Sequence, residues 1–301
     1  MVVRLRVFFL LFCTLSLFCS SIHAQVECGK LRESQLYNRK EITEPNEYTW
    51  IGRAGYGDWN NNSAEFISLS VLIKPRYAII PASYVIGENV TAPTFILFGD
   101  WRASDKFFLL GHCRSDKRIR QCTPPPQLVD IEDLVVHPGY ISSELQYNLA
   151  LAKLVRSVEF SDFVQPICLP PAEKEKGNHI AQTLEIAGFK KSFLKEKVWQ
   201  EDEYYRQKFK VTTTSLQFCN SKMLVPVRLT ENNLCAVRDK RKLLFHGSPL
   251  MGIEVVDEQP KNFYLIGILN AMITYPSSEI DSFVILRIYP FRNWILNNIE
   301  D

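Results

Sequence analysis

Neither sign of charge dominates this chain: 35 lysines and arginines meet 33 aspartates and glutamates, leaving a net charge of +2. No basic stripe with interleaved aromatics runs through it, so it lacks the electrostatic footprint of a nucleic-acid binder. Long apolar runs are missing beyond the first two dozen residues, which excludes a transmembrane helix in the body of the chain. Closely spaced cysteine pairs with histidine partners are missing too, so no zinc site is expected and no other metal or cofactor is implied. Internal repeats and low-complexity linkers are absent, which argues against a solenoid.

What the chain does have begins at its first residue. "MVVRLRVFFLLFCTLSLFCSSIHA" sets Arg4 and Arg6 before an apolar run from Val7 to Cys19, and small or neutral residues lead to Ala24. That is the build of a secretory signal peptide, too short and wrongly flanked for a membrane anchor. Residues 1–24 are therefore expected to be removed, leaving 25–301 as one secreted, extracellular domain. Of eight cysteines, Cys13 and Cys19 leave with the leader. Cys28, Cys113, Cys122, Cys168, Cys219 and Cys235 remain, an even number in an oxidising compartment. Three disulfides are predicted, with all fifteen connectivities open at this point. "NNS" at Asn61 and "NVT" at Asn89 are acceptors for N-linked glycans, and use of either requires an exposed turn.

Short apolar or alternating runs follow, broken by turn residues. "EFISLSVLI" (65–73), "YAIIPASYVI" (77–86), "TFILFGDW" (94–101), "LVDIEDLVV" (128–136) and "LALAKLV" (149–155) read as strands. So do "AQTLEIAGF" (181–189), "FKVTTTSLQ" (209–217), "FYLIGILNAMI" (263–273) and "SFVILRIY" (282–289). β-branched and aromatic residues dominate them. The one good helix candidate is terminal: "YPFRNWILNNIED" starts after a proline and sets Phe291, Trp294, Ile295 and Ile299 on one face. Many short strands without alternating helices predict an all-β barrel or sandwich. The charged stretch 190–210 reads as a solvated loop.

"VVHPGY" (135–140), "YNLALAKL" (147–154) and "VQPICLP" (164–170) occur in an order and at intervals that resemble the trypsin-like serine proteases. "EPNEYTW" (44–50), "NNLCAV" (232–237) and "SFVILRIYPFRNWI" (282–295) extend the likeness over the whole mature chain. The cysteine-bracketed insert within 98–126 is similar to one in arthropod clip-domain proteases, although only Gln25 to Glu27 are expected ahead of Cys28. The resemblance implies two packed six-stranded antiparallel β-barrels with a C-terminal helix. It also implies the pairings Cys28–Cys168, Cys113–Cys122 and Cys219–Cys235. Closing the first and longest loop would contribute about 5 kcal/mol in the chain-entropy model.

The chemistry of that family needs a serine nucleophile, a histidine base and an aspartate that orients it. Against the histidine motif, "IPASY" (80–84) places Ser83. Against the aspartate motif, "YNLALAKL" places Asn148. Against the nucleophile motif, "LFHGSPL" (244–250) places His246, with Phe245 before it and Leu244 at the oxyanion-hole glycine. All three roles are vacant, so the chain is expected not to be an enzyme. A register shift that made Ser248 the nucleophile would still leave no base and no acid. The activation sequence is replaced by "YNRK" (37–40), and Phe245 stands where its new amine would find an aspartate. Ser68 and Tyr84 replace a disulfide of the histidine loop, and the base of the specificity pocket falls in "DKRKLL" (239–244), at Lys240.

Of the other histidines, His137 is expected to be structural, while His112 and His179 lie in polar loops and read as solvated. His246 and Ser248, two residues apart in a turn, do not make a dyad. With chemistry absent, function rests on binding. The chain then resembles arthropod serine protease homologues, non-catalytic cofactors or regulators of extracellular cascades in innate immunity such as melanization. Its implied partner is an extracellular serine protease, proenzyme or serpin. An extracellular recognition or adhesion protein on the same scaffold is the alternative, and an active endopeptidase with a non-standard site the remote one. The Cys113–Cys122 loop and the 190–210 stretch are the candidate contact surfaces, although each taken singly reads first as a solvated charged loop. "KRIRQ" and "DKRKLL" would be open to trypsin-like cuts if exposed.

Overall fold

The computed structural model describes residues 27–58, 63–103, 110–116, 119–172, 178–190, 201–222, 228–239, 244–273 and 280–300. After a single turn of helix, α1 (Glu33–Leu36), the first barrel is built from β1 (Ile51–Tyr56), β2 (Glu65–Lys74), β3 (Tyr77–Ile80) and β4 (Phe95–Phe98). A separate hairpin, β5 (Cys113–Asp116) and β6 (Ile119–Cys122), precedes β7 (Gln127–Val136) and β8 (Ala150–Leu154), which complete that barrel. The second barrel comprises β9 (Thr183–Gly188), β10 (Gln207–Thr214), β11 (Asn233–Asp239), β12 (Pro249–Val256), β13 (Gln259–Ile273) and β14 (Ile280–Arg287). Both close, in the orders β1-β2-β3-β8-β7-β4 and β10-β11-β14-β13-β12-β9, with antiparallel neighbours throughout. Closure removes the sheet edges on which strands from another chain could add. The two six-stranded barrels expected from the resemblance are thus the fold.

Several expectations need adjusting in their boundaries. The run 77–86 is strand only to Ile80, because Pro81 has no N–H for the ladder and a 3-10 turn, Ala82–Tyr84, follows it. "IGRAGY" (51–56) is β1, a strand that its two glycines conceal. Gly52 is required there, since a Cβ would lie 2.6 Å from the side chains of Ile96 and Phe98. The terminal helix is shorter than its periodicity suggests: a 3-10 turn at Tyr289–Phe291 leads into α3 (Arg292–Asn297).

Two cores result. The larger fills the first barrel and runs on to Phe263, Leu265, Leu286, Phe291 and Ile295, tying both barrels and α3 together. The smaller lies inside the second barrel around Phe209, Tyr264 and Phe283. All three implied disulfides are present. Cys28–Cys168 closes a 140-residue separation, Cys113–Cys122 links β5 to β6, and Cys219–Cys235 ties the short helix α2 (Leu216–Asn220) to β11. Among the described residues no helix is long and apolar enough to cross a membrane.

Candidate functional site

The three triad-aligned residues come together between the barrels. Ser83 sits in the turn after β3, Asn148 ends the loop before β8, and His246 lies in the turn that leads into β12. Asn148, only 4% exposed, accepts a hydrogen bond from the Ser83 backbone N–H at 2.7 Å. Its amide nitrogen donates to the Ser83 hydroxyl at 3.1 Å and to Asn270 Oδ1. Asn270, on β13, in turn donates to the carbonyl of Leu145. An amide can satisfy a neighbour from both sides in this way because it carries both a donor and an acceptor. It brings no negative charge with which to stabilise an imidazolium.

His246 bonds through Nδ1 to the Tyr84 hydroxyl at 2.7 Å, their rings tilted with centroids 5.7 Å apart. Burial pushes the Tyr84 phenol up to about 12, so it stays a neutral hydroxyl at neutral pH, and the imidazole tautomer sets which partner donates. Tyr84, which aligns with a cysteine of the family's histidine loop, thereby engages the residue that aligns with the nucleophile. The backbone of the turn is equally fixed. Leu69 N–H donates to the His246 carbonyl and Gly247 N–H to that of Leu269, both at 2.8 Å. Gly247 has φ +87°, and a Cβ there would lie 2.1 Å from the Leu69 oxygen, so no other residue fits. Ser248 is fully buried and spends its hydroxyl on the Phe245 carbonyl at 2.7 Å, which makes it a turn residue.

The segment that aligns with the activation sequence leads into a backbone pairing beside β10. Tyr37 is 80% exposed, whereas Phe245, which aligns with the aspartate that an activation amine would meet, packs against the first core. Beyond Tyr37 the chain pairs with β10: Thr43 N–H donates to the Arg206 carbonyl at 3.0 Å and Lys208 N–H to that of Glu41 at 2.7 Å. Two buried cations reinforce the pairing. Arg206 reaches the Pro45 carbonyl at 2.9 Å, the Asp100 carbonyl at 3.3 Å and the Thr43 hydroxyl at 3.3 Å. Lys208 forms an ion pair with Glu47, and Tyr48 donates to Glu185. Burial raises the carboxyls of Glu47 and Glu185 and brings Arg206 down to about 10. Close by, Arg53 and Asp100 form a second buried pair at 2.7 Å, with the guanidinium 3.6 Å above the Phe66 ring.

The solvated loop expected over 190–210 is therefore corrected at its C-terminal end, where Arg206, Gln207 and Lys208 are all buried. The alternation Phe209, Val211, Thr213 extends back to Gln207 on the same face, whereas Arg206 and Lys208 lie on the other and are buried by their partners. Asn270 escapes a reading of the sequence as well, although a lone asparagine inside "FYLIGILNAMI" is a polar group that burial obliges to find partners. His112 is half-buried: its Nε2 is covered without a hydrogen-bond partner, and burial lowers its basicity. His179 is half-buried and bonds Gln182 at 3.0 Å. His137 is structural, stacked on Tyr147 and packed edge-on to Phe291.

Asn89 lies exposed in a turn, with φ +58°. Asn61, Lys240, residues 1–24 and 191–200 fall outside the described residues. The two proposed contact surfaces are neighbours: Arg114 of the disulfide hairpin pairs with Asp202 at 2.8 Å, and Arg102 holds Glu201 with two bonds of 3.0 Å.

Residues 111–295 match the family model for Trypsin. The chain is 25% identical over 286 residues to phenoloxidase-activating factor 1 of Holotrichia diomphalia, covering 91% of this chain and 73% of that protein. To phenoloxidase-activating factor 3 of the same species it is 30% identical over 209 residues, covering 68% of this chain and 55% of that one. The crystal structure of the Drosophila Grass clip serine protease of the Toll pathway superposes with a TM-score of 0.73, covering 91% of this chain and 75% of that one. At 20% identity that likeness speaks for the fold. Barrels, disulfides and sequence together place this chain in the trypsin family.

Proposed function

We propose that this protein is a secreted, non-catalytic member of the trypsin family that acts by binding in an extracellular protease cascade. The observation that carries the reading is the hydrogen-bonded set Ser83–Asn148–Asn270 beside Tyr84–His246. A hydroxyl, an amide and an imidazole engaged by a phenol align with the family's base, acid and nucleophile, which supports the reading. The kinship to two phenoloxidase-activating factors supports a setting in such a cascade, with a protease or proenzyme as partner. The rigid double barrel suits the role, because surface loops on a fixed scaffold bind without cutting.

The test has two arms. An active-site-directed fluorophosphonate should leave the folded, secreted protein unlabelled while labelling an active trypsin-like control. Added to a proenzyme of such a cascade with its activating protease, the protein should change the rate at which active enzyme accumulates. Covalent labelling at any residue refutes the non-catalytic reading, and an unaltered rate across the cascade's proteases refutes the regulatory one.

A further inference from the structure

The three disulfides sit in different surroundings. Cys219 and Cys235 are fully buried, while Cys28 and Cys168 are half-buried, with Asn262 donating to the Cys168 sulfur at 3.1 Å. Cys113 and Cys122 are both exposed. They also lie outside the barrels: β5 and β6 form a two-stranded sheet of their own, and the two cysteines face each other directly across it. Their bond closes a separation of 9 residues, against 16 and 140 for the others, so it constrains the unfolded chain least.

Strand alternation sorts the charges of this hairpin. Arg114 turns towards the body, where it pairs with Asp202 at 2.8 Å and lies over the Tyr205 ring. Arg120, two residues before Cys122, is exposed and shares the outer face with the disulfide. In sequence, 112–122 sets Arg114, Lys117, Arg118 and Arg120 against Asp116 alone. A cation beside a sulfur favours its thiolate and draws in an anionic reactant, and an exposed cystine is the kind that exchanges with free thiols.

We propose that the Cys113–Cys122 disulfide is a thiol-exchange site, opened by an anionic thiol of the glutathione type while the other two disulfides stay closed. The incoming thiolate attacks one sulfur to form a mixed disulfide, and the other sulfur leaves as a thiolate. Arg120 favours Cys122 in that leaving role. A second external thiol then displaces the first. Two external thiols are oxidised to one disulfide, and the protein cystine gains two electrons and two protons. The base of the hairpin remains tied, by Thr123 N–H to the His112 carbonyl at 2.8 Å and by His112 N–H to the Thr123 hydroxyl at 2.9 Å. Beyond that tie the strands lose their cross-link, and a ribbon of two strands is marginal in water on its own. Opening the bond therefore loosens the hairpin whose Arg114 holds Asp202, and leaves both barrels closed. The inference holds whether or not the triad-aligned centre is silent.

To test it, the secreted, native protein is incubated with reduced glutathione, and free thiols are alkylated at intervals and mapped by mass spectrometry. Cys113 and Cys122 should be alkylated at least about ten-fold faster than the other four cysteines. In the opened form, hydrogen exchange should rise in the hairpin and stay unchanged in β3 and β8. The cationic thiol cysteamine is run in parallel, each rate scaled to that thiol's rate with an uncharged small disulfide. At low salt glutathione should be favoured about five-fold, the effect of one unit-charge contact in water, and Arg120→Gln should lose most of that preference. Earlier opening of either other disulfide, no opening of the native protein, or unfolding of the barrels on opening overturns the proposal. So does the absence of a preference for the anionic thiol, or one that Arg120→Gln leaves intact.

Discussion

Two polar clusters lie inside this molecule, and they are built from opposite materials. The triad-aligned centre consists of hydroxyl, amide, phenol and imidazole groups: Ser83, Tyr84, Asn148, His246 and Asn270. The anchor of the N-terminal segment consists of full charges, Arg206, Lys208 and Glu47, with Glu185 alongside. Each joins separate parts: the centre bridges the barrels, and the anchor fixes residues 35–48 to the second barrel. A buried amide needs only a donor and an acceptor, whereas a buried charge must find a counter-charge and further hydrogen bonds. The centre thus draws on dipolar groups where the anchor draws on ions. The anchor uses an ion pair and backbone hydrogen bonds to hold the segment that aligns with the family's activation sequence.

Breaking the anchor should have the largest consequence. Glu47→Leu leaves the Lys208 ammonium buried and unpaired, and is expected to cost about 3–5 kcal/mol in denaturant unfolding. The double variant Glu47→Leu/Lys208→Met should regain most of it, because no unmatched charge remains. A single substitution that costs less than a surface ion pair would mean the segment is held by something else. At the centre the effects should be smaller. Restoring the family residues with Ser83→His, Asn148→Asp and His246→Ser is expected to yield no hydrolysis of a basic ester substrate, since Tyr37 stays in solvent and Phe245 supplies no carboxylate. The restored chain should also be less stable, by about 1–3 kcal/mol, because a carboxylate at position 148 would face the Asn270 oxygen with no proton to donate. Turnover by it would show that the centre and the anchor are less independent than their opposite chemistries suggest.

The same contrast explains what is legible in the sequence. The barrels, the disulfide pairs and the three triad-aligned residues are legible through the family resemblance that "IPASY", "YNLALAKL", "VQPICLP" and "LFHGSPL" carry. The anchor does not show, since Arg206 and Lys208 are held by Pro45 and Glu47, each 161 positions away, and a charge in a sequence reads as solvated until its partner is known. In the sequence Tyr84 is half of a lost disulfide. Its bond to His246 spans the two barrels, and only tertiary structure supplies that. Tyr84→Phe keeps the ring and removes the hydroxyl, and should cost about 1 kcal/mol in thermal unfolding. A larger loss would make the centre an inter-barrel clamp comparable to the anchor.

The finest discrimination lies in pH, at Glu185. Its carboxyl accepts from Tyr48 and is held above the ordinary carboxylate range chiefly by burial, with Lys208 opposing and Glu47 adding to the rise. The folded protein therefore keeps this proton to a higher pH than the unfolded chain does. The stability it brings is complete below the unfolded value, and is lost as pH climbs through that value to the folded one. Glu185→Gln retains an acceptor for Tyr48 and has no proton to lose. Compared with the parent from about pH 4 to about pH 8, the variant should start level in acid and then gain, its advantage levelling off once the parent's carboxyl is ionised. If the difference runs flat with pH, burial does not penalise this charge, and the anchor tolerates ions as easily as the centre tolerates amides.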